Sequence, residues 1–291
     1  MSAPATGIAR HPEARLIHRG LGRAEFFDLA PEQFAALDKI AAALRGEGRT
    51  RFSFHAPVVR PDFFPFDGIQ CFFLCEDDAR REDSFRLLAH TLDAARAFGA
   101  EYAVCHLTYG RTDTRDPKTA ARLAAAAGAR FAALSRATGV PLDVEFAGYT
   151  DSFHDPASFL DAVGPHAELG VCVDIGHTFL SAKQRGRDYL ADIATLAPRA
   201  RSMHLWNTTG PECHARHHHV PLHPSQRPAD GWIDVPAAVR AVLDRNPAVR
   251  LVFEYPVEAV TPEIQAGYDW IADLVAATAD QKRKTTRIPP P

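Results

Sequence analysis

Six strand-like hydrophobic segments of this chain each end in a side chain able to bind a metal ion. They are RFSFHAP with His55, YAVCHLT with His106, PLDVEFAG with Glu145, GVCVDIGH with Asp174 and His177, ARSMHLWN with His204, and RLVFEYP with Glu254. A run of three histidines, His217 to His219, follows the fifth. Packing explains one such ending. Recurrence at the same place in successive strand-like runs constrains the fold to a ring of parallel strands whose carboxyl ends converge on one centre.

The rest of the chain supports that architecture. Strand-like runs fall near 14–18, 24–29, 51–56, 102–107, 141–146, 170–175, 200–206 and 250–255. Helical faces lie between most of them: Pro31 to Arg45, Ser84 to Phe98 with Gly99 as a stop, and helices opened by Asp116-Pro117, Asp155-Pro156 and Thr261-Pro262. Each of these three openers is an N-cap residue followed by proline, whose missing N–H costs nothing at the first helical position. Alternating strands and helices predict parallel strands joined by crossover helices. Eight strands in 291 residues predict a (β/α)8 TIM barrel, a fold of ~250 residues. A doubly wound sheet would instead gather its ligands at one switch point. About six residues separate the runs at 14–18 and 24–29, too few for a crossover helix. The first crossover helix is therefore expected to be reduced or missing. The domain is expected over 13–280, with residues 1–12 and 281–291 disordered. Val58 to Asp78 carries five phenylalanines and no regular pattern. It fits either a lid or a loop packed on the barrel.

Period two places Asp143 on the face of Glu145, and Cys172 on that of Asp174. Several carboxylates near one barrel axis would repel one another unless a cation joined them. Mixed imidazole and carboxylate ligands suit Zn²⁺, Mn²⁺, Co²⁺ or Fe²⁺, and suit Ca²⁺ poorly.

Composition excludes other classes. The chain holds no apolar run long enough to span a bilayer, and its first residues lack the apolar core of a secretory signal, so a cytoplasmic protein without a membrane partner is expected. Five cysteines without a repeated spacing fit reduced thiols. A net charge of −3 and a pI near 6.5 disfavour nucleic acid as a partner.

The series HAP, CH, VEF, DIGH, HLWN, HHHVPLH and FEYP, with Gly231-Trp232-Ile233-Asp234, resembles the xylose isomerase-like TIM-barrel superfamily from about residue 24 to 276. That superfamily contains sugar isomerases and epimerases and endonuclease IV. The resemblance implies that Glu145, Asp174, His204 and Glu254 are the four ligands of a shared metal site. It implies that His55 and His106, with bridging Glu145, correspond to a second site in the endonuclease branch, and His177, His217 and His219 to a third. The His217 position is aspartate in that branch, so such a third site would be one negative charge poorer here. One to three divalent ions, Zn²⁺ or Mn²⁺ first, are thus implied as cofactors.

Two activities follow from the resemblance. The first is isomerisation or epimerisation of a sugar-like small molecule, with Glu145 and Glu254 as the acid/base pair and His177 bonding a substrate hydroxyl. Ketose epimerases usually carry an arginine shortly after the His204 position, where this chain reads Asn207-Thr208-Thr209-Gly210. The second is a multi-metal phosphoesterase of endonuclease IV type, on abasic DNA or a small phosphate ester. Trp206 and Trp232 fit stacking on a sugar ring or plain packing equally.

Overall fold

The computed structural model describes residues 22–286, apart from residues 47, 49, 67–70, 109–111, 256, 258 and 259. Among the described residues there are seven strands: β1 (Arg23–Phe26), β2 (Arg51–His55), β3 (Ala103–His106), β4 (Leu142–Glu145), β5 (Leu169–Asp174), β6 (Ala200–Leu205) and β7 (Arg250–Phe253). They pair in chain order, all parallel. Nearly every strand residue is buried, as expected of a parallel sheet with side chains packed on both faces.

The sheet curls into a nearly closed barrel of TIM type. β1 and β6 stand five places apart in the strand order, about 24 Å in a flat sheet with ~4.8 Å between strands. Yet Glu25 on β1 and His204 on β6 lie 2.9 Å apart. Curvature brings side chains from distant strands onto one axis.

Helices fill the crossovers. Between β1 and β2 run α1 (Pro31–Ala35) and α2 (Leu37–Gly46), followed after β2 by α3 (Asp78–Phe98) and after β3 by α4 (Pro117–Thr138). α5 (Pro156–Val163) follows β4, and α6 (Ile175–Arg185) and α7 (Tyr189–Leu196) follow β5. α8 (Pro211–His217) and α9 (Val235–Arg245) join β6 to β7, and α10 (Pro262–Thr286) closes the chain. Asp116 and Asp155 accept from the backbone N–H groups of Thr119 and Ser158, satisfying otherwise orphaned donors of α4 and α5. Outward faces of the strands meet these helices. Phe98 of α3 packs against Phe26, Phe52 and Phe54, with ring centroids 5.9, 5.4 and 5.4 Å away.

Inward-facing residues form layers. Below the strand ends, Asp143 Oδ2 accepts from Ser202 Oγ at 2.8 Å and from Arg250 Nη2 at 3.0 Å. The Arg250 guanidinium lies 3.8 Å from the centre of the Tyr102 ring. This paired floor supports the layer that carries the site.

The expected and observed elements differ in places. The run at 14–18, and with it the start of the proposed missing crossover, lies outside the described residues, as do residues 1–12. The crossover from β1 to β2 is helical, but the expected helix over Pro31 to Arg45 breaks at Ala36 into α1 and α2. α10 continues to Thr286, so residues 281–286, expected to be disordered, are helical. The described part of the aromatic stretch packs on the outer helices. Phe66 stacks edgewise on Phe64 and Phe72, and Phe73 meets Phe85 of α3 and Phe131 of α4 at 5.0 and 4.7 Å. Among the described residues no helix is long and apolar enough to cross a membrane, and Cys71, Cys75, Cys105, Cys172 and Cys213 are free thiols.

Candidate metal centre

The strand ends deliver the ligand-bearing side chains. His55 ends β2, His106 ends β3, Glu145 ends β4 and Asp174 ends β5. His204 is the penultimate residue of β6, and Glu254 directly follows β7. The register pairs His106 with Glu145 and Asp174 with His204. All six are buried, as is His177 in the first turn of α6.

The DIGH segment has a specific local design. Asp174 caps α6, its Oδ1 accepting from the backbone N–H of His177 at 2.5 Å. Its Oδ2 accepts from Trp206 Nε1 at 2.7 Å. Gly176 lets the indole approach, because a Cβ there would lie 2.1 Å from a Trp206 ring carbon.

Glu145 is the hub. Its Oε2 is 3.0 Å from His55 Nε2 and from His106 Nε2, and 3.3 Å from His204 Nδ1. Its Oε1 is 3.4 Å from His177 Nε2. Glu254 Oε2 lies 3.2 Å from the same His204 Nδ1. The hydroxyl of Tyr149 contacts His177 Nδ1. His219 donates from Nδ1 to the Glu254 backbone carbonyl at 2.7 Å and stacks on Trp206, with centroids 4.0 Å apart. Potential ligand atoms gather in four overlapping groups: His55, Glu145, His204; His106, Glu145, His177; His177, His219, Glu254; and Glu145, Asp174, His177, Glu254.

This geometry fits a divalent cation. Two atoms each ~2.1 Å from one ion stand roughly 3.0–3.4 Å apart at octahedral or tetrahedral angles, and the spacings above match. His55 shows how a cation would fit. Its Nδ1 lies 2.9 Å from the Ala56 carbonyl. Donation there leaves a lone pair on Nε2 in the neutral ring, facing a carboxylate oxygen. Two acceptors at that separation repel unless a proton or metal joins them. Glu145 Oε1, His204 Nδ1 and Glu254 Oε2 are buried and make no hydrogen bond of acceptable angle among the described residues.

The electrostatics agree. Burial raises the Glu145 carboxyl, but the imidazoles of His106 and His204 outweigh it and hold it well below its ordinary range. Burial likewise opposes ionisation of Glu254, and His204 overcomes it. Asp174 is pushed well up by burial and by the negative charges of Glu254 and Glu145. Burial lowers His204, but neighbouring Cys172 and the carboxylates Glu254, Glu145 and Glu25 raise it well above normal. Burial takes His177 down to about 3. Three carboxylates competing for protons held by imidazoles are a site short of positive charge.

Of the nine residues singled out in the sequence, eight converge here. His217 does not: it is exposed at the end of α8 and belongs to none of the four ligand groups. Sequence reasoning missed Glu25, Ser53 and Tyr149. Glu25 had a signal, a carboxylate in an otherwise apolar run, but it precedes the strand end by one residue. Tyr149 follows β4 in a segment without periodicity. Beside Tyr149 opens a cavity of about 360 Å³ lined also by Asp113, Thr114, Arg115, Thr150 and Ser152.

Fold and centre together define a TIM barrel with a cluster of His and Glu side chains, able to hold metal, at the carboxyl ends of its strands. The chain belongs to the xylose isomerase-like TIM-barrel family, which it matches over residues 14–274. No curated protein matches it. Among solved structures it resembles a D-tagatose 3-epimerase-like protein at 12% identity, covering 90% of this chain and 91% of that one with a TM-score of 0.66. It also resembles the TTHB071 protein from Thermus thermophilus, studied after soaking with ZnCl₂, at 24% identity, coverage of 95% and 97%, and a TM-score of 0.57. Endonuclease IV from the same organism is 20% identical, with coverage of 96% and 98% and a TM-score of 0.53. At these identities the likeness carries the fold.

Proposed function

We propose that this protein is a divalent-metal-dependent enzyme that isomerises or epimerises a sugar-like small molecule by proton transfer. The observation that carries the proposal is the pair Glu145 and Glu254. They arrive from β4 and the end of β7, flank one His204 nitrogen at 3.3 and 3.2 Å, and are both held ionised. For turnover one of the two must first take up a proton from solvent. The carboxylate then removes the proton from carbon beside a carbonyl, the protonated partner delivers its own to the opposite face, and the pair ends with its protonation states exchanged. Glu145, Asp174, His204 and Glu254 would hold the ion, which when bound polarises the substrate oxygens. His177, in contact with the Tyr149 hydroxyl, would bond a substrate hydroxyl. The epimerase-like structural neighbour and the cavity beside Tyr149 support a small sugar-like substrate. Incubation of ketoses in D₂O with Mn²⁺ or Zn²⁺ tests this: the wild type should catalyse exchange or internal transfer of the carbon-bound proton.

A second reading is favoured by one observation. His55 and His106 both lie 3.0 Å from Glu145 Oε2, which suits more than one ion and hence a multi-metal phosphoesterase of endonuclease IV type. Release of phosphate or cleavage of abasic DNA, with sugar C–H bonds left untouched, would replace the first reading with this one.

A further inference from the structure

Glu25 belongs to none of the four ligand groups, yet it is fully buried beside them. Burying a carboxylate is costly unless it is paired. The parallel register sets Glu25 opposite Ser53, and both face the barrel interior. Ser53 Oγ donates to Glu25 Oε2 at 2.8 Å. Glu25 Oε1 faces His204 Nε2 at 2.9 Å, at an angle short of a linear hydrogen bond. The other nitrogen of the same ring faces Glu145 and Glu254.

We infer that Glu25 is a positioning residue for the metal centre: seated by Ser53, it fixes His204 with the proton on Nε2 and the lone pair on Nδ1. The inference rests on the reading of the centre as a metal site. A carboxylate oxygen and an imidazole lone pair repel at 2.9 Å, so Nε2 facing Glu25 must carry hydrogen. The neutral ring then directs its lone pair from Nδ1, toward the two glutamates that share the centre. A carboxylate behind a ligating histidine sets its tautomer and raises its basicity. Ser53 holds the second oxygen, so Glu25 cannot swing away without leaving a buried hydroxyl unsatisfied.

Titration of the metal-free protein with Zn²⁺ or Mn²⁺ against a competing chelator tests this directly. Glu25→Gln keeps the volume but removes the charge, and its amide can turn N–H toward His204 and select the other tautomer. Its affinity should fall about 10–100-fold, and Ser53→Ala should fall less, in the same direction. Circular dichroism and thermal unfolding of the metal-free forms check that the variants fold. In the Zn²⁺-loaded wild type, long-range ¹H–¹⁵N spectra should place the His204 proton on Nε2. A folded Glu25→Gln variant binding within about twofold of wild type, or a proton on Nδ1, overturns the inference. A wild type that binds neither ion overturns the metal reading itself and this inference with it, an outcome distinguishable because it is read without any variant.

Discussion

The indole N–H of Trp206 donates to Asp174 Oδ2 across 2.7 Å, and its ring occupies the space that a Cβ on residue 176 would need. One contact thus joins the residue that directly follows β6 to the residue that both ends β5 and caps α6. The same indole carries His219 on its face, so Trp206 organises two sides of the centre without being placed to ligate.

Trp206→Phe should therefore destabilise the metal-free protein. The variant leaves a buried carboxylate oxygen without its donor, a loss of about 1–3 kcal/mol. Gly176→Ala should cost a similar ~1–3 kcal/mol by overpacking the ring. Urea unfolding in the presence of a chelator measures both. A variant as stable as wild type would show that the contact is not maintained in solution.

Glu145 is common to three of the four ligand groups. Glu145→Gln should consequently reduce metal content below that of any single histidine variant. If a second ion is bound, the His55→Ala, His106→Ala double variant should lose that one and retain the other. Elemental analysis after dialysis against Zn²⁺ reads the stoichiometry. Equal content in wild type and the double variant would leave His55 and His106 as supports for Glu145.

Much of this arrangement was legible in the sequence because the barrel forces it. Alternate side chains along each strand point to the axis, and His55, His106, Glu145 and Asp174 ended apolar runs of strand length. The helices α6, α7, α8 and α9 were not legible. α6 begins inside the DIGH motif itself, so the ligand pattern hid a helix start whose cap, Asp174, also serves the site. The histidine run misled in part: α8 is short and exposed, and no periodicity told His217 from His219. Glu25 was hidden because its contact with His204 joins side chains of β1 and β6, which only barrel curvature brings together.

Metal-free stability should fall with acid through His177. Its folded pKa is depressed to about 3 by burial, against ~6.5 unfolded, so the unfolded chain takes up the proton first. Its contribution is whole above the unfolded value and is lost as pH falls toward the folded one. Between about pH 6 and 4 the stability difference between wild type and His177→Leu should change by about 1.4 kcal/mol per pH unit. Urea titrations at stepped pH provide the check. A difference flat with pH would mean that His177 stays protonated in the folded state.

Glu254→Gln should abolish turnover while sparing the fold, since glutamine keeps the shape and cannot take a proton. The loss should reach at least ~10²–10⁴-fold, assayed with metal in excess so that weaker binding does not mimic it. Retained turnover at saturating metal would remove Glu254 from the acid/base pair.

The central claim is that Glu145, Asp174, His204 and Glu254 share one divalent ion. Anomalous diffraction from crystals soaked in Zn²⁺ or Mn²⁺ tests it most directly. The account predicts a strong peak at the carboxyl ends of the strands, within ~2.0–2.3 Å of an atom from each of these four side chains. Soaked crystals with no peak among these residues, or with ions only at exposed histidines such as His217 and His218, would contradict it.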